Sequence, residues 1–148
     1  MSALPSSAQL LPSSSKMYAL RLIPGQDLKG ELDKLVRKMG WNAVSIVTCV
    51  GSLDVASIRF ANQKEPTKIE SKLEIVSLTG VLSKNNSHLH ISVSDSTGKT
   101  IGGHLKEGSI VYTTAEIVLA ILEDYEFNRE ADPTYGYKEL VVKPKRKD

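Results

Sequence analysis

Cysteine is nearly missing from this chain: Cys49 is the only one in 148 residues. A single thiol excludes an internal disulfide framework and makes a reducing compartment the default. It lies inside the apolar run Ala43–Val50, where a cysteine behaves as a small buried hydrophobe and not as a nucleophile. Long hydrophobic runs are also missing. None reaches the ~18 residues of a membrane span, so no membrane partner is expected. Residues 1–16 contain six serines, two prolines, no acidic residue and one basic residue, Lys16. They lack the charged start and apolar stretch of a secretory signal, and one basic residue is too few for a transit peptide. They read as a flexible tail. No internal repeat, phosphate-cradling loop, nucleophile–base pairing or dinucleotide fingerprint is found.

A strong excess of one charge is absent from the body of the chain. The net charge is +2, but residues 143–148 contribute four basic and one acidic residue. Without that tail, 15 basic and 16 acidic residues remain, or −1. A body-wide electrostatic footprint for nucleic acid is therefore not supported. The Lys143–Lys147 run reads as a solvated end, and functionally as a nuclear import signal or loose polyanion contact. The expected location is cytoplasmic, or nuclear if the tail directs import. Three domains of behaviour follow: a tail over 1–16, one folded domain over 17–142, and a basic tail over 143–148.

What is present is one helix among many strands. Tyr18–Ile23 alternates and ends at Pro24-Gly25, a strand followed by a turn. Asp27 suits a helix N-cap. Leu28, Leu32, Leu35, Val36 and Met39 form one apolar helical stripe, with Gly40 at the C-terminal cap. Strands are predicted over Ala43–Val50, Leu53–Ala61, Ile69–Leu78, Ser87–Ser94 and Thr100–Leu105, with Gly51-Ser52 as a break between the first two. Ser109–Asp124 carries two signals. Thr113 and Glu116 fit a helical capping box, whereas Ile110, Val111, Ile117, Val118 and Ile121 favour strand, the preferred reading. Glu123–Gly136 reads as a loop, and Glu139–Val142 as a last short strand. The fold class is α+β, with one amphipathic helix packed on a mixed, largely antiparallel sheet in a single domain.

The informative segment runs from His88 to His104. Side chains alternate along a strand, so His88, His90, Ser92 and Ser94 share one face while Leu89, Ile91 and Val93 face the core. A three-residue loop, Ser96-Thr97-Gly98, puts glycine where a left-handed conformation is needed. Asp95 then pairs with Lys99, and His90 comes opposite His104. Opposed Cβ atoms lie ~5 Å apart, with His88 on the diagonal. Gly102 falls on the same face and is expected to leave open space beside the rings. Three imidazoles so placed can meet one metal ion, zinc by preference, and leave a coordination position for water or substrate. The plain alternative is a solvated polar strand face, and a one-residue register shift would break the opposition.

The order Arg21–Asp27, Gly51–Leu53, Glu74–Gly80, His88–His90, Asp95, Gly98, Gly102–Leu105, Gly108 and Ala115-Glu116 resembles the plants and prokaryotes conserved (PPC) domain over about residues 17–125. The resemblance implies a helix against a mixed sheet, Ser109–Asp124 as strand, and a homotrimer. It also implies zinc held by the histidine pair and the Gly-Gly-His histidine, here His88, His90 and His104. Land-plant members often follow an AT-hook with an Arg-Gly-Arg-Pro core, which is absent here. Their Gly-Arg-Phe-Glu-Ile-Leu partner segment matches Ser71–Val76, which keeps only Glu74 and Ile75. A more distant likeness is to acetolactate decarboxylase, another three-histidine zinc protein.

Two functions compete. One is a small-molecule binder or metal-dependent enzyme, with Glu74, Glu116 and Arg59 as helpers around the metal. The other is a DNA-associated or nuclear scaffold module acting through the trimer and the basic tail, where three tails would bind polyanions multivalently. A metal-stabilised oligomer without catalysis is a third reading.

Overall fold

The computed structural model describes residues 12–134 and 136–145. The elements run β1 (Ser15–Leu22), α1 (Leu28–Met39), β2 (Val44–Arg59), β3 (Thr67–Leu82), β4 (Ser87–Ser94), β5 (Thr100–Leu105), β6 (Ile110–Leu122), β7 (Tyr125–Ala131) and β8 (Lys138–Pro144). Six strands form one sheet in the order β1-β6-β2-β3-β4-β5, and β7 and β8 form a separate ribbon. Strand β5 also pairs with the far end of β2, through Ile58 with Leu105 and Arg59 with His104. Strands β2 to β5 therefore close into a small ring, and β5 has a partner on both sides.

The helix begins as its sequence dictates. The Asp27 carboxylate accepts a hydrogen bond from the Gly30 N–H at 3.0 Å, which satisfies one of the orphan donors of the first turn. It ends at Gly40, held at φ 65°, a conformation glycine adopts without a Cβ penalty. Leu28, Leu32 and Val36 are fully buried in the same core as Leu53, Ile58, Leu89 and Leu119. Met39 leaves that stripe and is largely exposed.

Four features bear on the sequence expectations, and all but the third depart from them. First, every strand pairing among the described residues is antiparallel; the sheet is not mixed. The β1–α1–β2 crossover would ordinarily place parallel strands side by side. Here β6 fills the position between them and pairs with both.

Second, Gly51-Ser52 does not end a strand. Strand β2 runs through it as one 16-residue element, with register shifts against β6 on either side of Leu53. Gly51 has φ 147°, and a Cβ there would come within 2.0 Å of the Thr114 carbonyl oxygen. The glycine marks a bulge with close backbone approach.

Third, the ambiguous Ser109–Asp124 is strand over Ile110–Leu122, as the β-branched content favours. Fourth, the segment from Glu123 to Gly136 is not a loop. Half of it is β7, paired residue for residue with β8 from Tyr125 opposite Pro144 to Ala131 opposite Lys138. Of the two expected tails, residues 1–11 and 146–148 lie outside the described residues. Ser15 and Lys16 begin β1, and Lys143 and Pro144 end β8. Lys143 is ion-paired with Glu130 at 2.6 Å, so one basic charge of that run is engaged within the ribbon. Among the described residues no helix is long and apolar enough to cross a membrane.

Candidate metal centre

The three histidines meet on one face of the β4–β5 hairpin, and the turn is what fixes them there. The Asp95 carboxylate accepts hydrogen bonds from the Thr97 N–H (2.8 Å), the Thr97 hydroxyl (2.6 Å) and the Lys99 N–H (3.1 Å). These bonds hold the Asp95 carboxyl below its usual range, the Thr97 hydroxyl most strongly. Gly98, at φ 81°, supplies the left-handed residue of the three-residue loop. The Gly98 N–H donates to the Asp95 carbonyl at 2.9 Å, and the Asp95 N–H donates to the Lys99 carbonyl at 3.0 Å. With that end locked, the ladder runs Ser94 with Thr100 down to His90 with His104.

The opposite face of β4 explains why the register cannot slip. Leu89, Ile91 and Val93 are each at most 2% exposed. A shift by one residue would drive His88 and His90 into the core and push these three out.

The rings form a tight cluster. Centroids are 4.4 Å apart for His90 and His104, 5.0 Å for His88 and His90, and 5.1 Å for His88 and His104. One ligand nitrogen from each lies within 4.8 Å of the others. The His90 Nε2 and His104 Nδ1 atoms are 3.1 Å apart, so without an ion one ring N–H donates to the other ring's lone pair. A tetrahedral zinc with ~2.0–2.1 Å bonds holds its ligand nitrogens roughly 3.3 Å apart, so this pair already has the bite of a chelate.

Two observations test the fit of a metal to this site. The His88 Nε2 atom is buried and has no hydrogen-bond partner among the described residues, and buried polar nitrogens are seldom left so. Two of the three donors, His88 and His104, are also in the right protonation state. Burial, then the Arg59 charge, then the neighbouring rings and Lys106 push His104 down to about 4. Burial, followed by Arg129 and His90, lowers His88. Both rings are therefore neutral at physiological pH, which leaves lone pairs for coordination. The residues present fit a divalent ion that accepts imidazole.

The expected helpers divide. Arg59 on β2 is the cross-strand partner of His104, and its Nη1 donates to the Gln63 carbonyl at 3.0 Å. Glu74 on β3 pairs with Ser94, whereas His90 pairs with Thr79. Four residues of β4 separate the two, roughly 13 Å along the strand. Glu74 lines a shallow hollow with Ser52, Lys72, Ser94 and Tyr112 at the turn end of the hairpin. Glu116 on β6 pairs with Arg21 and Val50, nine residues along β2 from Arg59. The structure brings neither carboxylate to the three rings. Gly102 also has a different role from open space. It opposes Ser92, and a Cβ there would lie 2.6 Å from the Ile91 carbonyl oxygen. A Cβ on Gly103 would meet the Arg59 carbonyl oxygen at 2.7 Å. The pair of glycines lets β5 fit tightly between β4 and β2.

Arg129 and Glu139, on the ribbon, are the residues that sequence reasoning missed. Both act electrostatically on His88, Arg129 lowering it and Glu139 raising it. The signal available was the alternation Tyr125, Phe127, Arg129 against Glu126, Asn128, Glu130, which a charged and polar composition hid. Cys49, by contrast, is as expected: burial pushes its thiol up to about 12, which leaves it inert at neutral pH.

Comparison with known proteins agrees with this architecture. The family model for the Plants and Prokaryotes Conserved (PCC) domain matches residues 11–123. The chain is 47% identical over 133 residues to the bifunctional protein GlmU of Synechococcus sp. strain JA-2-3B'a(2-13), covering 90% of this chain and 21% of that protein. It thus spans about a fifth of the length of that relative. Among solved structures, a hypothetical protein of Salmonella enterica is similar at 36% identity with a TM-score of 0.90, over 92% of this chain and 99% of that one. A metal-containing protein of Archaeoglobus fulgidus is similar at 27% identity with a TM-score of 0.76, over 90% and 99% of the two chains. The fold, the hairpin and these likenesses together place the chain in the plants and prokaryotes conserved domain family.

Proposed function

We propose that this protein is a metal-binding PPC domain in which His88, His90 and His104 hold one ion, zinc by preference. One observation carries the reading: three imidazoles converge with ligand nitrogens within 4.8 Å of one another. The metal-containing nature of the Archaeoglobus protein supports it. Three protein ligands leave a position for water or substrate, and a divalent ion there would polarise a carbonyl or acidify a bound water. The function is then small-molecule binding or metal-dependent catalysis. The chain's own part is to orient the rings through the Asp95 turn and to hold His88 and His104 neutral.

A homotrimer is the proposed assembly. Val47 and Val50 on β2 and Val76 on β3 are each more than half exposed, and apolar side chains so displayed suit contact with further copies. The test is metal analysis of the native protein by mass spectrometry, alongside a His88/His90/His104→Ala variant, with native mass spectrometry for the assembly. Stoichiometric metal in the first and none in the second is expected. Equal metal in both would refute the site.

A further inference from the structure

The surroundings of the three rings are cationic, and their cations come from two separate parts of the chain. Arg59 stands beside His104 as its cross-strand partner. Among the described residues it has no carboxylate partner; its one side-chain bond is to the Gln63 carbonyl. Lys106 follows two residues after His104 and also acts on it.

The second source is the β7–β8 ribbon, which extends beyond the residues matched by the family model. The Phe127 N–H donates to the Asn42 carbonyl at 3.0 Å, which ties the ribbon to the start of β2. The register there runs from Val44 to Leu82 and on to Ser87, the residue before His88. The ribbon is thus anchored at the end of the sheet where β4 begins. Phe127 and Arg129 share one face of β7. Phe127 is 7% exposed and the Arg129 side chain 15%, so this face turns towards the body of the protein. The Arg129 guanidinium is pre-positioned: Nε donates to the Lys138 carbonyl at 3.1 Å. Glu139, the one acid paired with it among the described residues, lies 3.8 Å away with a side chain 56% exposed. That contact is an ion pair too long to be a hydrogen bond, and an incoming anion can displace it.

We infer that Arg59 and Arg129 flank the histidine site as a paired anion clamp, and that the small molecule bound there carries a carboxylate. Imidazole ligands do not offset the charge of a divalent ion, and among the described residues no carboxylate joins the three rings. A carboxylate ligand on the open position would supply the missing negative charge. Guanidinium groups match its planar geometry. Glu139 occupies Arg129 in the absence of ligand and is itself a carboxylate, which favours this class of ligand. The inference rests on the metal reading above.

The test uses full-length protein loaded with cobalt(II), whose visible spectrum reports ligand exchange, titrated with pyruvate and, as uncharged control, acetone. Metal content is measured on every variant. Pyruvate is expected to shift the spectrum and acetone is not. R59Q and R129Q each should raise the pyruvate Kd about tenfold or more while metal content is unchanged, and E139Q should lower it about threefold. R129K, which keeps the charge but loses the fork, should fall between wild type and R129Q. Equal pyruvate affinity in wild type, R59Q and R129Q, or an equal response to acetone, would overturn the clamp while leaving the metal site standing. Failure of wild type to take up cobalt would instead sink the metal reading, and the clamp with it.

Discussion

His90 and His104 face each other across the β4–β5 ladder with ring nitrogens 3.1 Å apart, and that opposition is set by a turn six residues away from each. Asp95 and Gly98 fix the pairing at the closed end, and the buried Leu89, Ile91 and Val93 hold it at the other. The site is a consequence of strand register before it is a matter of side-chain choice.

Removal of one ligand should separate metal binding from folding. His90 is exposed, so His90→Ala leaves the metal-free fold within about 0.5 kcal/mol of wild type. Zinc affinity should nevertheless fall by more than about 100-fold, since even groups that merely support a ligand are worth 10–100-fold. Competition with a chromophoric chelator, paired with urea unfolding of the metal-free proteins, checks both halves. Unaltered zinc affinity would remove His90 from the ligand set.

Acid should weaken the metal-free protein partly through these rings. His104 is held at about 4, against ~6.5 for an unfolded histidine. Between those values the unfolded chain binds more protons than the folded one. Stability therefore rises with pH across the window from about 4 to about 6.5 and is lost on acidification through it. Above that window both states hold a neutral ring and this contribution is constant. The stability difference between wild type and His104→Gln should shrink or reverse between pH 7 and pH 4.5. A difference that stays the same at both pH values would show that His104 is not the titrating group.

The turn can be weakened without touching a ligand. Asp95→Ala removes an acceptor for three hydrogen bonds, and should cost about 1–2 kcal/mol. Zinc affinity should drop as the register loosens, although Asp95 is far from the ion. Asp95→Asn keeps one acceptor oxygen and should recover part of both losses. An Ala variant with wild-type metal affinity would mean that the buried face alone sets the register.

How much of this was legible in the residues depends on where each signal lives. The β4–β5 hairpin was readable because its turn chemistry is local and its alternation clean: Leu89, Ile91 and Val93 against His88, His90 and Ser92. Helix α1 was readable for the same reason, from Asp27 to Gly40. The continuity of β2 was not. Gly51 looks like a break in one dimension, and only the approach of the Thr114 carbonyl from another strand reveals a bulge. The β7–β8 ribbon was hidden because it buries little beyond Phe127 and carries charges on both faces. With it went Arg129 and Glu139, whose nearness to His88 is set by tertiary docking through Asn42. Arg59 could be singled out as a residue type but not placed, since its pairing with His104 needs the closure of β5 onto β2.

That closure supplies the last prediction. Strand β5 sits between two neighbours, and Gly102 and Gly103 are what allow it. A methyl group on Gly102 would lie 2.6 Å from the Ile91 carbonyl oxygen and 3.1 Å from the Ser92 Cβ, and neither backbone nor core can retreat without disturbing Ile91, which is buried. Gly102→Ala should therefore destabilise the protein by about 1–3 kcal/mol, the usual cost of overpacking. Because the strain pries β5 from β4, it should also separate His104 from His90 and weaken zinc binding. Gly98→Ala is the informative comparison. Nothing lies within 4 Å of a Cβ there, so its penalty is the left-handed backbone alone, roughly 1 kcal/mol. Urea unfolding and chelator competition on both variants resolve the two costs. If Gly102→Ala proves as mild as Gly98→Ala and keeps zinc, close strand approach is not what holds His104 in place.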